Sequence, residues 1–349
     1  MKTNSLNRVK FVAYVVFSLS LALICYLRPS SEDFDRYIYE TLIRSARQPI
    51  DDIYRIVKHE SPRAESSTVL DSPAHLAQLE PLYAIRPLYL RLISAVALKL
   101  SPQQAINFVS AFSLFWIAIL SYVFTRSYLY SALLVATPGV MVLGRLGGPD
   151  ALSSLTIVAA CVAILRNRLL AGIALLMISV WVRTDNVLLV LAMLGWLLWN
   201  RKIAPQYALV LAALAAGSVE YINFFSGNYG WKVLMHYSFV GGKYPAEIKT
   251  GITFSQYLHA FLSNAESLIP QLAPFLLLGL IAWRLDSSPD RKILLPVLFA
   301  GIARYLLFPS GEARYFAWAC LLTGLVFIRS IQDRTKLLVV QNRSQAAAA

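Results

Sequence analysis

Apolar runs almost free of charge, joined by short charged turns, recur from one end of this chain to the other, and this pattern limits its fold more than any other feature. Inside a hydrocarbon layer no water is available to bond the backbone, so each run must satisfy its own N–H and C=O groups as a helix. Hydrophobic residues make up 57% of the 349, above the content of an ordinary soluble domain. The expected fold class is therefore an all-α polytopic membrane protein.

Spans are expected at 11–27, 105–124, 129–143, 151–165, 169–182, 187–199, 204–225, 268–283, 293–308 and 315–328, about ten helices in all. Residues 82–100 are apolar but interrupted by Arg86, Arg91 and Lys99, so they are read as a juxtamembrane helix that does not cross. With that parity Arg126, Arg166, Arg168, Arg201, Lys202, Arg284, Arg291, Lys292, Arg329, Arg334 and Lys336 fall in turns on one side. The positive-inside rule makes that side the cytoplasm. Both termini are then cytoplasmic, and the expected location is the plasma (inner) membrane. Residues 1–340 form one transmembrane domain, with external loops at 28–100 and 227–266 and a disordered tail at 341–349. The N-terminal apolar run lacks a small-residue cleavage site, so an uncleaved first helix is expected.

The net charge of +13 is accounted for by these turns, and no phosphate-binding glycine loop or nucleic-acid motif is present, so nucleic acid is not an expected partner. Cys25, Cys161 and Cys320 lie within apolar runs, without metal-ligand spacing, and are read as packing residues. No metal or other cofactor is indicated.

Ten of the nineteen acidic residues fall in 28–81, which makes this the one acidic segment of a basic chain. Its opening, residues 30–40, places Phe34, Tyr37, Ile38, Thr41 and Leu42 at helical spacing, the pattern of a short amphipathic helix on a membrane surface. Asp33, Arg36 and Glu40 share its polar face. Two readings compete for the acids: Ser30 caps the helix and first-turn carboxylates favour its dipole by about 0.3–1 kcal/mol, or a carboxylate here does chemistry.

Several spans are short. A 14-residue helix rises about 21 Å, less than the roughly 30 Å of a bilayer's hydrocarbon, so the turns 144–150 and 183–186 should be recessed. Ionisable groups at such depth are functional candidates. The external polar set comprises Asp33 and Asp35, Arg86, Arg145 with Asp150, Arg183 with Asp185, Glu220, and Glu312 with Arg314. Carboxylates among several arginines suit deprotonation of a hydroxyl and capture of a phosphate; ion pairs that merely hold helices together explain Arg145–Asp150 and Arg183–Asp185 equally well. Residues 227–266 interleave aromatics, Trp231 and His236 among them, with lysines. Such a segment is an interfacial anchor or a lid whose rings stack on a ligand.

In this order of features the chain resembles the GT-C superfamily of polytopic glycosyltransferases. Asp33-Phe34-x-x-Tyr37 looks like that superfamily's D-x-x-x-Y signature, and Arg86-Pro87-Leu88-Tyr89 is similar to the K/R-P-P-L-Y stretch of aminoarabinose-transferase-like members, with one proline in place of two. Gly148-Pro149-Asp150-Ala151 and Arg314-Tyr315-Phe316 are similar to recurring turns of these enzymes. The resemblance implies an inverting transfer from a polyprenyl-phosphate-linked sugar donor to a hydroxyl of a glycan or lipid acceptor on the external face. Asp33 would be the catalytic base and Arg86, Arg183 and Arg314 would hold the donor phosphate. Asp35, Tyr37, Tyr83, Asp150, Asp185, Trp231, His236 and Glu312 are the further substrate-binding candidates. No large soluble C-terminal domain is seen, so protein N-glycosylation is not the expected role. A lipid-linked saccharide flippase and a non-catalytic scaffold of the same fold are the rival readings.

Overall fold

A computed structural model gives the architecture and describes residues 2–30, 34–60, 71–241, 244–285 and 289–348. Sixteen α-helices follow one another, with no strand among the described residues: α1 Lys2–Leu27, α2 Asp35–Ser45, α3 Ile50–Glu60, α4 Pro73–Ala84, α5 Pro87–Val96, α6 Pro102–Thr125, α7 Tyr128–Val135, α8 Pro138–Arg145, α9 Asp150–Leu165, α10 Leu169–Val182, α11 Val187–Trp199, α12 Pro205–Phe225, α13 Trp231–Phe239, α14 Phe254–Leu285, α15 Leu294–Leu307 and α16 Ala317–Ala348. Among the described residues five helical stretches are long and apolar enough to cross a membrane: Arg8–Leu27, Pro102–Thr125, Pro205–Phe225, Phe254–Leu285 and Ala313–Thr335. The protein is thus an all-helical chain of membrane-protein character.

The remaining expected spans are shorter or broken. α9, α10, α11 and α15 have 16, 14, 13 and 14 residues, a rise of about 20–24 Å. The expected span 129–143 is two helices, α7 and α8, bent by 63°. Thr137, just before Pro138, is extended at φ −62° and ψ 140°, because a following proline disfavours the helical conformation.

One apolar core runs through the bundle. Leu114 and Ile117 of α6, Ile157 and Cys161 of α9, Leu176 and Val180 of α10, Met193 of α11 and Leu321 and Leu325 of α16 meet in it. All three cysteines are buried and unbridged.

The acidic stretch differs from its expected form. α2 starts at Asp35, with Phe34 as cap residue and no side-chain cap bond, rather than at a Ser30 cap. It is packed on both sides instead of lying on a surface. Tyr37 and Ile38 sit with Ile53, Val57, Leu76, Leu79 and Leu82 of α3 and α4, while Tyr39 sits with Tyr89, Ile93, Ile106 and Val109 of α5 and α6. Glu40, expected on a polar face, has no exposed area. It is held by Arg44 at 2.7 Å and by Gln103 Nε2 at 3.1 Å.

Residues 82–100 likewise are not one helix. The chain breaks at Arg86 (φ −128°, ψ 60°), and Pro87 starts α5 at the position where a missing N–H costs nothing. The expected loop 227–266 contains α13, and from Phe254 onward it is already α14, a helix of 32 residues. α16 runs to Ala348 through the stretch read as a tail, whose terminal alanines have the highest helix propensity.

Candidate functional site

Helix ends from across the sequence converge on one polar cluster. Asp35 opens α2 and Asp150 opens α9; Arg183 closes α10 and Arg304 lies in the last turn of α15. Carboxylates at N-termini and guanidiniums at C-termini suit the helix dipoles, so each group is locally stabilised before it meets its partner. Asp185 comes from the 3-10 turn Thr184–Asn186, and Arg314 from the 3-10 turn Ala313–Phe316. Asn186 fixes the first turn, its Nδ2 donating to Ser153 Oγ at 2.9 Å and to the Ser179 carbonyl at 2.8 Å.

The pairing is dense. Arg183 binds Asp185 with two parallel bonds, Nε to Oδ1 at 3.0 Å and Nη2 to Oδ2 at 2.9 Å, and turns Nη1 to Asp150 Oδ1. Arg304 Nη2 lies 3.0 Å from Asp185 Oδ2. Arg314 Nη1 donates to Asp35 Oδ2 at 2.9 Å and stands 3.9 Å from Asp150 Oδ2, and its Nε is 2.5 Å from Glu312 at the rim. The Tyr315 ring is a common platform, with the Arg183, Arg304 and Arg314 guanidiniums at 5.0, 4.5 and 5.0 Å from its centroid. Tyr83 donates its hydroxyl to Asp35 Oδ1 at 2.8 Å.

Arg86 stands apart from these pairs. Its guanidinium lies over the rings of Tyr83 at 5.1 Å and Tyr39 at 5.7 Å, and its Nη1 is buried with no hydrogen-bond partner among the described residues. Aromatic faces offset part of the cost of burying a cation, and Nη1 remains a donor that an anionic ligand could take. Gly148 borders the same space: a Cβ there would lie 3.2 Å from Asp150 Oδ2 and 3.8 Å from Asp35 Oδ2.

Burial pushes the Asp35 carboxyl up, but the charges of Arg314 and Arg86 and the bonds from Tyr83 and Arg314 outweigh it and hold the group below the usual carboxylate range. Asp35 is therefore ionised at neutral pH. Burial and the Asp35 charge together raise the Tyr83 phenol well above its ordinary value, so it remains a donor.

An apolar cavity of about 750 Å3 lies alongside, between α14, α15 and α16, with Phe261, Leu272, Trp283, Leu298, Gly301 and Phe316 in its wall. It reaches the cluster at Phe316, whose ring lines the cavity while the Arg304 guanidinium sits 5.9 Å from its centroid.

Of the residues singled out from sequence, the structure gathers Asp35, Tyr83, Arg86, Asp150, Arg183, Asp185, Glu312 and Arg314. Asp33 lies outside the described residues. Tyr37 packs in the α2–α4 core, where Arg36 Nη2 donates to its hydroxyl at 3.3 Å. Trp231 donates Nε1 to the Leu307 carbonyl at 2.7 Å, tying α13 to the end of α15. His236 is buried, and its Nδ1 has no partner among the described residues. The Arg145–Asp150 pair does not form: Arg145 donates to the Arg28 carbonyl at 2.7 Å, and Asp150 is taken by Arg183. Glu220 is exposed on α12. Arg304 and Tyr39 were missed; an arginine near the end of an apolar helix is itself the signal that marks Arg304.

Fold and site together define an all-helical membrane-type protein with a largely buried arginine–aspartate cluster beside an apolar cavity. Compared with known proteins, the chain matches no family model, no curated protein and no solved structure.

Proposed function

We propose that this protein is a GT-C-type membrane glycosyltransferase that moves a sugar from a polyprenyl-phosphate donor to a hydroxyl of a glycan or lipid on the external face of the plasma membrane. One observation carries the reading. An arginine cluster, in which Arg86 Nη1 has no hydrogen-bond partner among the described residues, adjoins a long apolar cavity through Phe316, whose ring lies beside Arg304. That combination matches an amphiphile with a phosphate head and a long hydrocarbon tail. The α14 wall from Phe261 to Trp283 extends about 33 Å at 1.5 Å per residue, room for many isoprene units.

In the step proposed, a carboxylate takes the acceptor hydroxyl proton, the acceptor oxygen forms its bond to sugar C1, and the bond from C1 to the phosphate oxygen breaks. The electron pair leaves with polyprenyl phosphate, which departs as a dianion stabilised by guanidiniums. Such a leaving group needs no proton, so one carboxylate suffices. Among the described residues Asp35 suits this role: its carboxyl is held in the ionised form, and only a glycine, Gly148, stands against it and Asp150. Asp33, the base implied by the family signature, is its rival.

The test is sugar transfer by purified protein from a panel of radiolabelled polyprenyl-phosphate sugars, with cell-envelope extract as acceptor source. Transfer that is lost in Asp35→Asn supports the reading. Absence of transfer, combined with movement of the lipid-linked sugar across liposome membranes, would replace it with the flippase.

A further inference from the structure

We propose that Tyr83 is a positioning residue with two separable tasks: its hydroxyl orients the Asp35 carboxylate and its ring seats the Arg86 guanidinium. This inference rests on the glycosyltransferase reading and assigns parts within that site.

The geometry separates the two tasks. Asp35 uses its two oxygens differently: Oδ2 meets Arg314 Nη1 at 2.9 Å, and Oδ1 accepts the Tyr83 hydroxyl at 2.8 Å. A full positive charge draws more electron density than a phenol, so Oδ1 is the more basic oxygen and the better acceptor of a proton. Tyr83 fixes that oxygen and occupies one of its two lone pairs, which leaves a single direction for an incoming hydroxyl. The π-face of the same ring lies 5.1 Å from the Arg86 carbon that bears the charge. Tyr39 helps at 5.7 Å and meets Tyr83 edge to face at 5.4 Å. One side chain at the end of α4 thereby sets the spacing between the group that receives a proton and the cation offered to the phosphate.

Two substitutions separate the tasks. Tyr83→Phe keeps the ring and removes the hydroxyl: the dissociation constant for decaprenyl phosphate should stay within about twofold of wild type, while kcat for sugar transfer falls about tenfold, the equivalent of one hydrogen bond. The acid limb of kcat should also move to higher pH, because a carboxylate that loses a donor to its charged form is protonated more readily. The other groups facing Asp35, namely Arg314, Arg86, Asp150, Tyr39 and Tyr315, are untouched by this change. Tyr83→Leu, with Tyr83→Met as a second variant of unbranched shape, removes the ring as well and should weaken decaprenyl phosphate binding about tenfold, the loss of one cation–π contact in a desolvated site. Thermal unfolding in detergent shows whether each variant is folded.

A Tyr83→Phe protein with unchanged kcat and an unmoved acid limb overturns the hydroxyl role. Leucine and methionine variants that are folded and bind decaprenyl phosphate like Tyr83→Phe overturn the ring role. The parent reading fails differently: wild-type protein would transfer no sugar at all, and the binding measurement would still judge the ring.

Discussion

The Asp35 carboxylate and the Arg314 guanidinium, 279 positions apart in the chain, are joined at 2.9 Å. This bond ties the first turn of α2 to the turn that precedes α16. It also keeps Asp35 ionised, because the opposing charge favours the carboxylate.

Asp35→Asn is expected to reduce transfer by about two to four orders of magnitude, the usual worth of a positioned base, with the fold retained. Asp33→Asn should be much milder. Initial rates for both variants, with thermal unfolding as control, decide the assignment, and the reverse order would return the role to Asp33. Since the folded-state value of Asp35 is depressed, its contribution to stability is present above the ordinary carboxylate range and is lost as pH falls through the lowered value. Wild-type stability should therefore drop in that acidic window more than that of Asp35→Asn.

Arg86→Ala should bind polyprenyl phosphate at least tenfold more weakly, since a charge-assisted hydrogen bond to phosphate is worth about 1.5–3 kcal/mol. It should unfold no more readily than wild type, because Arg86 makes no ion pair among the described residues. Arg86→Lys keeps the charge without the forked geometry and should recover part of the affinity. Titration with decaprenyl phosphate measures both; unchanged affinity in the alanine variant would move the phosphate to another arginine.

Gly301 lies in the wall of the apolar cavity, where a Cβ would meet only Phe316 at 4.0 Å. An alanine fits there, whereas Gly301→Leu projects into the cavity. The leucine variant should raise KM for long-chain donors and leave short-chain donors largely unaffected. A chain-length series of synthetic donors reads this out, and equal effects at every length would mean that the tail lies elsewhere.

Removing Arg183 has a structural consequence. Its guanidinium serves Asp150 and Asp185 together, with side chains 8%, 3% and 30% exposed. Arg183→Met leaves buried carboxylate charge without its partner, at about 3–5 kcal/mol. A large fall in unfolding temperature is expected, well beyond that of Arg86→Ala. Near-wild-type stability in Arg183→Met would mean that Arg304 and Arg314 alone compensate both acids.

Some of the helices are legible in the amino-acid pattern alone. α10 and α11 begin and end where the apolar runs do, at 169–182 and 187–199, because charged residues at both ends bound each run. It also brought forward Arg86, Asp150, Arg183, Asp185 and Arg314, since charge next to short apolar helices has few places to go. How these groups combine is set by long-range packing. Residue periodicity cannot say where a helix starts: α2 begins at Asp35 with Phe34 as its cap residue, not at a Ser30 cap. Local spacing paired Arg145 with Asp150, yet packing of α9 against α10 delivers Arg183 instead. Arg304 looked like part of a span, and only the approach of α15 to the 184–186 turn shows its partner in Asp185. These pairings depend on which helix ends meet, and that is fixed by the shapes of buried surfaces distant in sequence.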